Sequence, residues 1–350
     1  MFHKGKAFLA AALAAVMLSS CGGRSDSSTQ ADNTQKATTT KATVTLTPQD
    51  SSSLPGSDSS EDQSGNDTCT PLMWHITNAD GHEMTLMGSM HALKPEIYPL
   101  PERIMKAYEN ADVLAVECDI TSITGNFTYE LALMKEMKYP EGETVESHLS
   151  KETYDNLTGF LEANGYSMDM IKHYKPWAIS SIVEEIVTNK AEIYNTYGID
   201  NNLLQMAHED KKEIYEVESY DFQMEMLMNF SDEVQDITLR DYSAENEEEL
   251  VSQMSELYEI WKNGDIDEIN HYMAEDEEQV EAELTEEEKA LLDEYNAEML
   301  YDRNKGMADA AEKLLKEHEN TFFVVGLAHF IGDGGIIDLL TQRGYTIEMI

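Results

Sequence analysis

Short apolar runs alternate with longer segments of helical periodicity along residues 71–350. This alternation is typical of an α/β fold, in which a central mixed β-sheet is surrounded by helices. Asp80-Gly81 between the first two runs predicts a β-hairpin. Residues 220–319 predict a long helical segment before the last strands. The predicted strands lie at residues 74–77, 83–88, 112–119, 212–218, 321–326 and 345–350.

Two of the apolar runs, at opposite ends of this region, finish in the same Gly-x-x-His pattern. One pattern runs from Gly88 to His91 and the other from Gly326 to His329. We expect each glycine to mark the point where the backbone turns sharply out of its strand. Each histidine would then follow the carboxyl end of a strand, where open α/β sheets bind ligands. Either histidine alone could equally be a hydrogen-bonded core residue, so it is the pair that indicates a shared site.

Carboxylates end two further predicted strands. Glu117 ends the third strand. The order of hairpin, helix and strand indicates a crossover onto the same sheet, which would place Glu117 at the same edge as His91. A carboxylate at that position is costly to desolvate without a partner, which makes it a candidate site residue. Glu218, which ends the fourth strand, and Asp200 are secondary candidates. Asp119 and Asp200 are also expected as caps, Asp200 at the N-cap of a helix.

The helical segment carries most of the acidic charge. Residues 241–290 contain 19 acidic and 2 basic residues, a pattern typical of solvated helix faces. No Asp-x-Asp-x-Asp-Gly loop occurs there, so a calcium site is not predicted. Arg303, followed by Asn304, could form an ion pair or could lie at the site and bind a carboxylate or oxyanion. The glycines of residues 332–335 lack the lysine of a phosphate loop and are expected to allow tight helix–strand packing.

The amino-terminal region predicts export rather than a fold. Residues 1–21 have a basic start and an apolar stretch at 7–18, which is too short to span a bilayer as a helix. They end in Leu-Ser-Ser-Cys, which resembles the bacterial lipobox and predicts lipidation of Cys21; the alternative is an ordinary secretory signal. Residues 22–70 are rich in Ser and Thr and predict a disordered tether to a single domain at 71–350. We therefore expect an extracytoplasmic protein of the cell envelope, anchored to a membrane by lipid.

The net charge of −44 excludes several partners. With 68 acidic against 24 basic residues, the chain is not expected to bind nucleic acid or an anionic membrane surface electrostatically. A cationic ligand or peptide would be favoured, although surfaces of this kind also serve solubility. Cys69 and Cys118 could pair in an exported chain, but two cysteines are too few to predict a disulfide.

Six short motifs lie at residues 88–91, 114–117, 175–177, 198–200, 303–304 and 326–329. Together they resemble the TraB/PrgY/GumN family, which includes the Tiki membrane proteases. The resemblance implies an α/β fold of the erythromycin-esterase type, with the two motif histidines and a glutamate as the site. Tiki-like members are described as metalloproteases dependent on manganese or cobalt, and PrgY-like members are associated with limiting a peptide pheromone. Those relatives use transmembrane segments, whereas this chain carries a lipidation signal.

These observations lead to a hypothesis of a metal-dependent hydrolase acting on peptides. His91 and His329 would bind a divalent ion, for which manganese, cobalt and zinc are all suitable. Glu117 would be the third ligand or the general base, Arg303 would stabilise an oxyanion, and Asn304 would orient Arg303 or the substrate. The alternatives are a metal-free hydrolase that uses Glu and His on water, and a binding protein that sequesters a peptide without cutting it.

Overall fold

A computed structural model of the chain describes residues 68–123, 126–281 and 284–350. The predicted signal peptide, the lipidation of Cys21 and almost all of the predicted tether lie outside the described residues. In the described part, no helix is long and apolar enough to span a membrane. Cys69 and Cys118 are both buried and free, so no disulfide joins them.

A mixed sheet of six strands lies at the centre of the described chain. Its strands are β1 (Met73–Thr77), β2 (Glu83–Ser89), β3 (Val113–Val116), β4 (Glu213–Glu216), β5 (Asn320–Gly326) and β6 (Ile347–Met349). They lie in the order β4-β3-β5-β2-β1-β6. Strands β2 to β5 are parallel, and β1 is antiparallel to its neighbours β2 and β6. The carboxyl ends of β2, β5 and β3 therefore meet side by side at one edge of the sheet.

Helices surround this sheet and account for most of the described chain. The first group lies between β2 and β4: α1 (Glu102–Asn110), α2 (Phe127–Glu136), α3 (Lys151–Ala163), α4 (Met168–Ile171), α5 (Pro176–Lys190) and α6 (Ile199–Asp210). The second group lies after β4: α7 (Tyr220–Asn229), α8 (Asp232–Leu239), α9 (Glu247–Asn263), α10 (Ile266–Glu281), α11 (Glu286–Asn296), α12 (Asp302–Glu317) and α13 (Ile336–Gln342). The predicted α/β class and the long helical segment before β5 are confirmed.

Both faces of the sheet are buried, which explains the continuous apolar runs of its central strands. In β3, Leu114 and Val116 pack into one apolar cluster, whereas Val113 and Ala115 pack into a second cluster on the other face. All four β3 side chains are buried. The sheet thus separates two hydrophobic cores, and its polar residues are left to the ends of the strands.

The predicted hairpin is confirmed as β1 and β2, which pair over their full length up to Met87. Asn78 fixes the turn, because its side-chain oxygen accepts hydrogen bonds from the backbone N–H groups of Asp80 and His82. Gly81 has a φ of 87°, a left-handed conformation that favours glycine. Local sequence therefore determines the register of the strand that leads to His91.

A π-helical turn, Ala297–Tyr301, joins α11 to α12. Met299 of this turn packs in a third, smaller apolar cluster formed mainly by α7, α8 and α11. Single π-helical turns within helices often occur at functional sites, because the extra residue changes the direction of the side chains that follow. Here it is followed directly by the first turn of α12, which carries Arg303 and Asn304.

Glu184 of α5 is a buried carboxyl group away from the sheet edge. Its side chain accepts a hydrogen bond from Ser180 Oγ (2.9 Å), and its second oxygen is buried without a hydrogen-bond partner among the described residues. Burial raises the pKa of Glu184 to about 8 from an ordinary value of 4.5. Between these two pH values the unfolded chain binds fewer protons than the folded one, so the free energy of unfolding falls as pH rises.

We predict that Glu184→Gln removes this loss of stability. Near pH 5 the variant and the wild type should unfold at similar urea concentrations, whereas at about pH 8.5 the variant should be more stable by a few kcal/mol. The upper bound is about 5 kcal/mol, since each pKa unit corresponds to about 1.4 kcal/mol. Urea unfolding at both pH values tests this, with the exposed Glu162→Gln as control. Parallel pH dependence of Glu184→Gln and wild type would contradict it.

Candidate active site

Three neighbouring parallel strands bring the predicted site residues to one edge of the sheet. His91 follows the end of β2, Glu117 directly follows β3, and His329 ends the 3₁₀ turn Leu327–His329 that follows β5. Strand β5 pairs with β2 on one side and with β3 on the other. The shared edge explains why side chains that are far apart in sequence converge, as the carboxyl ends of parallel strands do in open α/β sheets.

Gly326 marks the end of its strand as the sequence predicted, because the 3₁₀ turn begins directly after it, whereas Gly88 does not make the predicted turn. Both glycines also permit close approach. Gly88 lies within β2 and Gly326 is the last residue of β5, where its φ is −53°. A Cβ at Gly88 would lie 2.5 Å from Leu327 Cδ1, so any side chain there would displace the second motif. A Cβ at Gly326 would lie 3.2 Å from Glu117 Oε1 and 3.6 Å from His91 Nε2, within the site itself.

The centre of the site is one carboxylate oxygen between two imidazoles. Glu117 Oε1 lies 3.8 Å from His91 Nε2 and 3.8 Å from His329 Nε2. These distances are too long for hydrogen bonds. Both Nε2 atoms are buried and have no hydrogen-bond partner in the described part of the chain. Two buried ring nitrogens therefore face the same carboxylate, and neither forms a hydrogen bond to a described residue.

The other nitrogen of each ring is fixed by a hydrogen bond. His91 Nδ1 donates to Asp200 Oδ2 (2.7 Å), and His329 Nδ1 donates to Asn304 Oδ1 (2.7 Å). The amide of Asn304 is itself oriented, because its Nδ2 donates to the carbonyl oxygen of Gly334 (3.1 Å). A proton on Nδ1 leaves Nε2 of a neutral ring as a lone-pair donor directed toward Glu117.

Asp200 reaches the site from the first turn of α6, and its prediction as an N-cap is wrong. The N-cap is Gly198, and no side chain caps this helix end. A Cβ at Gly198 would lie 2.0 Å from the carbonyl oxygen of His91, so glycine is required for the helix to approach this loop. The close packing places Asp200 inside α6, where its carboxylate can reach the imidazole. Asp119, in contrast, is confirmed as a cap, since it accepts a hydrogen bond from Thr121 N.

Glu117 is fully buried and is held as an anion by several donors. Oε2 accepts from Arg303 Nη2 (2.7 Å) and from Gln223 Nε2 (3.1 Å). Oε1 accepts from the backbone N–H of Gly326 (2.7 Å). Burial alone would raise the pKa of Glu117, but the charge of Arg303, together with the nearby imidazoles and this backbone bond, lowers it below its ordinary value.

Arg303 lies behind Glu117 and bridges two carboxylates. Its Nε and Nη2 bind Glu218 through two oxygens, at 2.9 and 2.8 Å, while Nη2 also binds Glu117. Nη1 donates to the carbonyl oxygen of Met299 in the π-helical turn (2.9 Å). The Arg303 side chain is only 2% exposed. These contacts assign it an ion-pair role and give no support to the predicted oxyanion role, which stays a prediction.

The two imidazoles differ in their electrostatic surroundings. Burial and the positive charge of Arg303 together lower the pKa of His329 to about 3, so this ring is neutral at ordinary pH. Burial also disfavours a charged His91, but the carboxylate of Asp200 outweighs that effect and the pKa is raised. The difference follows from the outer partners, because one ring faces an anion and the other a neutral amide.

Gln223 of α7 belongs to the site and was missed in the sequence. Its Nε2 donates to Glu117 (3.1 Å) and to Glu218 (3.0 Å), and its Oε1 accepts from the thiol of Cys118 (3.4 Å). Gln223 lies on the buried face of α7 together with Tyr220, Met224 and Leu227. One amide at a core-facing position of an amphipathic helix is the signal that could have identified it.

A cavity opens onto the two rings. It encloses about 670 Å³, including the space open to solvent, and its walls come from the ends of β2 and β5 and from α9 and α10. Glu117, Arg303 and Asn304 do not line it, so they lie behind the imidazoles. The lining residues are Ser89, Met90, His91, Leu257, Ile260, Trp261, Ile269, Tyr272, Met273, Gly326, Leu327, Ala328, His329 and Ile331.

The fold and site define an α/β protein with a buried histidine–glutamate–histidine centre at the carboxyl edge of its sheet. The family model described as the TraB/PrgY/gumN family matches residues 72–349, and the chain belongs to this family. None of the solved structures matches the chain significantly.

The similar proteins include bacterial and animal members. The uncharacterized protein YbaP of Escherichia coli (strain K12) is 29% identical over 157 residues, which cover 45% of this chain and 56% of YbaP. The metalloprotease TIKI2 of Danio rerio is 22% identical over 318 residues, covering 75% of this chain and 57% of TIKI2. The metalloprotease TIKI2 of Xenopus tropicalis is 41% identical over 56 residues, covering 15% of this chain and 11% of that protein. The chain thus spans little more than half the length of the first two relatives.

We predict that Arg303→Met destabilises the protein by about 3–5 kcal/mol, because it leaves two buried carboxylates without their cation. Adding Glu218→Gln should reduce this loss, with a coupling energy of about 1–3 kcal/mol in a double-mutant cycle. Urea unfolding measures both values. The control is Arg343→Met, which breaks the more exposed pairs with Asp309 and Glu312 and should cost about 1 kcal/mol or less. Equal losses for Arg303→Met and Arg343→Met would rule out a buried ion-pair network.

Proposed function

We propose that this protein is a metal-dependent hydrolase that acts on peptides. The observation that carries the proposal is the pair of buried imidazole Nε2 atoms without hydrogen-bond partners, each 3.8 Å from the same oxygen of Glu117. Membership of the TraB/PrgY/gumN family and the similarity to proteins named metalloproteases support a hydrolase-like role.

The donor set is chemically suited to a divalent ion, for which His91 and His329 would supply imidazole nitrogens. Each ring gives its second nitrogen to an outer acceptor, as metal-binding histidines usually do. In the described part of the chain, no group of three or more His, Cys, Asp or Glu side chains is arranged closely enough to form a complete metal centre. Glu117 would therefore be the third ligand only after a small adjustment of its carboxylate.

A bound divalent ion would supply Lewis-acid polarisation of the peptide carbonyl. The protein itself contributes orientation: Asp200 and Asn304 fix the two rings, and Arg303 with Gln223 fixes Glu117. If Glu117 is not a ligand, its Oε1, which lies 3.8 Å from both Nε2 atoms, would be the general base that takes a proton from an attacking water held beside the rings. Arg303 would act as a positioning residue through Glu117, since its donors already bind carboxylates.

The second candidate is a metal-free hydrolase, with which one contact is compatible. His91 is hydrogen-bonded to Asp200 at 2.7 Å, the arrangement of a histidine base oriented by a carboxylate. The same contact also occurs behind metal-binding histidines, so it does not separate the two mechanisms. Metal content does.

Lipid anchoring through Cys21 and an extracytoplasmic location in the cell envelope are part of the proposal. This part is supported by the sequence of residues 1–21 alone. A peptide or protein substrate would then meet the domain outside the cytoplasm.

We predict that protein purified without chelator, or reloaded with manganese, cobalt or zinc, retains about one ion per chain. His91→Ala and His329→Ala should abolish retention, and Asn304→Ala should weaken it roughly 10- to 100-fold, because the orientation of His329 is lost. Inductively coupled plasma mass spectrometry measures the content. His173→Ala, which changes an exposed histidine, is the control. If the wild-type protein keeps no stoichiometric ion after loading, the metal-dependent mechanism is rejected.

We further predict that the metal-loaded wild type cleaves members of a peptide library. Mass spectrometry of the products measures this cleavage. Glu117→Gln should lower the rate by at least about 100-fold, because it removes the anion that would accept the proton. Glu213→Gln, an exposed carboxylate at the start of β4, should leave the rate unchanged. Peptides that bind to the wild type but stay intact after long incubation would instead identify a sequestering protein.

A further inference from the structure

The cavity beside the imidazoles has a wall that the proposed chemistry does not use. Leu257 and Ile260 of α9, Ile269 and Met273 of α10, and Ile331 after β5 line it together with Trp261. We call these residues the apolar wall. Leu257, Ile260 and Ile269 are buried, whereas Met273 and Ile331 are partly exposed. An apolar surface beside the imidazoles favours a ligand group of matching chemistry.

Trp261 connects the wall rigidly to the site. Its indole N–H donates to the carbonyl oxygen of Gly88 (2.9 Å), inside the strand that leads to His91. Trp261 is only 1% exposed, so the wall cannot shift far from β2 without breaking a buried hydrogen bond. The distance between the wall and the imidazoles is thus determined by the fold.

The charge of the cavity differs from the charge of the whole chain. The net charge of −44 favours a cationic ligand, yet among the side chains that the structure describes, no Asp or Glu lines the cavity. The buried carboxylates of Glu117 and Glu218 lie behind the rings and are bound by Arg303. A cationic side chain entering here would lose water without gaining an anionic partner from the lining, which is unfavourable.

The polar groups of the lining suggest how a ligand would be oriented. The buried hydroxyl of Ser89 has no hydrogen-bond partner among the described residues, and neither have the two Nε2 atoms. All three belong to the strand-end side of the cavity, across from the helices that form most of the apolar wall. A ligand with a polar backbone on one side and an apolar group on the other would match both surfaces.

We propose that the apolar wall is a subsite that binds an apolar side chain, of the size of Leu, Met or Phe, of a peptide whose backbone lies against the imidazoles. The peptide part of this inference rests on the proposed function. Met273 and Ile331, at the open side of the wall, select the side chain by contact. The thioether chain of Met273 can adapt to aliphatic and aromatic groups alike.

Blocked tetrapeptides Ac-Ala-Ala-Xaa-Ala-amide provide the test, with Xaa as Leu, Met, Phe, Ala, Lys or Asp. Competition binding assays measure the affinity of the metal-loaded protein for each peptide. Mass spectrometry measures cleavage of the same peptides. Leu, Met and Phe should bind at least about tenfold more tightly than Ala, since burial of even one or two methylene groups has an effect of this size. Lys and Asp should bind no better than Ala.

Substitutions at the open side of the apolar wall test whether this wall causes the preference for apolar side chains. Met273→Gln and Ile331→Gln should each reduce the Leu-to-Ala ratio by about threefold or more, with metal content unchanged. The matched controls are Met226→Gln and Ile337→Gln, which change partly buried residues outside the cavity lining and should keep the wild-type ratio.

The outcomes separate this inference from the proposed hydrolase. Preferential binding of apolar peptides without any cleavage would support the subsite and reject the hydrolase. Cleavage without preference, or with preference for Lys, would reject the subsite and leave the hydrolase in place. Absence of peptide binding would reject both, and an unchanged ratio in Met273→Gln and Ile331→Gln would reject the assignment to the apolar wall.

Discussion

The buried contact between Arg303 and two carboxylates determines how the rest of the site can be built. Glu117 and Glu218 follow neighbouring strands and come close together away from solvent, an arrangement that would be strongly unfavourable without a cation between them. Arg303 supplies that cation from α12, and Gln223 adds an amide donor from α7. Two strands and two helices must therefore be in place before Glu117 can exist as a buried anion, which makes the site a consequence of the complete fold.

Glu117 then shapes what surrounds it through its other oxygen. Because Oε2 is occupied by Arg303 and Gln223, only Oε1 faces the imidazoles, and Gly326 leaves the space around that oxygen free. Two consecutive residues of the first turn of α12 serve two strands, Arg303 reaching Glu117 and Asn304 reaching His329. One helix turn thus orients the ends of β3 and β5 together.

The sequence was informative where local chemistry decides the structure. The hairpin turn at Gly81, the apolar runs and the carboxylates that follow them could all be interpreted from neighbouring residues, and so could the pairing of His91 with His329. Contacts that depend on how helices pack onto the sheet could not. Asp200 was expected as a cap and only as a secondary site candidate, because nothing local shows that Gly198 lets α6 approach His91, and Gln223 carries no motif. Gly88 was assigned to a turn, whereas it lies within β2 and permits the close approach of Leu327, which only tertiary structure reveals.

Total charge was the least reliable guide to the cavity, and the reason is physical. The acidic side chains that the structure describes on α9 and α10 lie mostly on exposed faces, whereas Leu257, Ile260 and Ile269 on the same helices are buried. An amphipathic helix presents opposite chemistries to solvent and to the interior, so its composition describes only its outer face. Since the cavity lies on the inner side of α9 and α10, its chemistry follows the apolar periodicity of these helices and not their charge. A ligand at the imidazoles therefore meets a largely apolar lining, although the chain as a whole is strongly acidic.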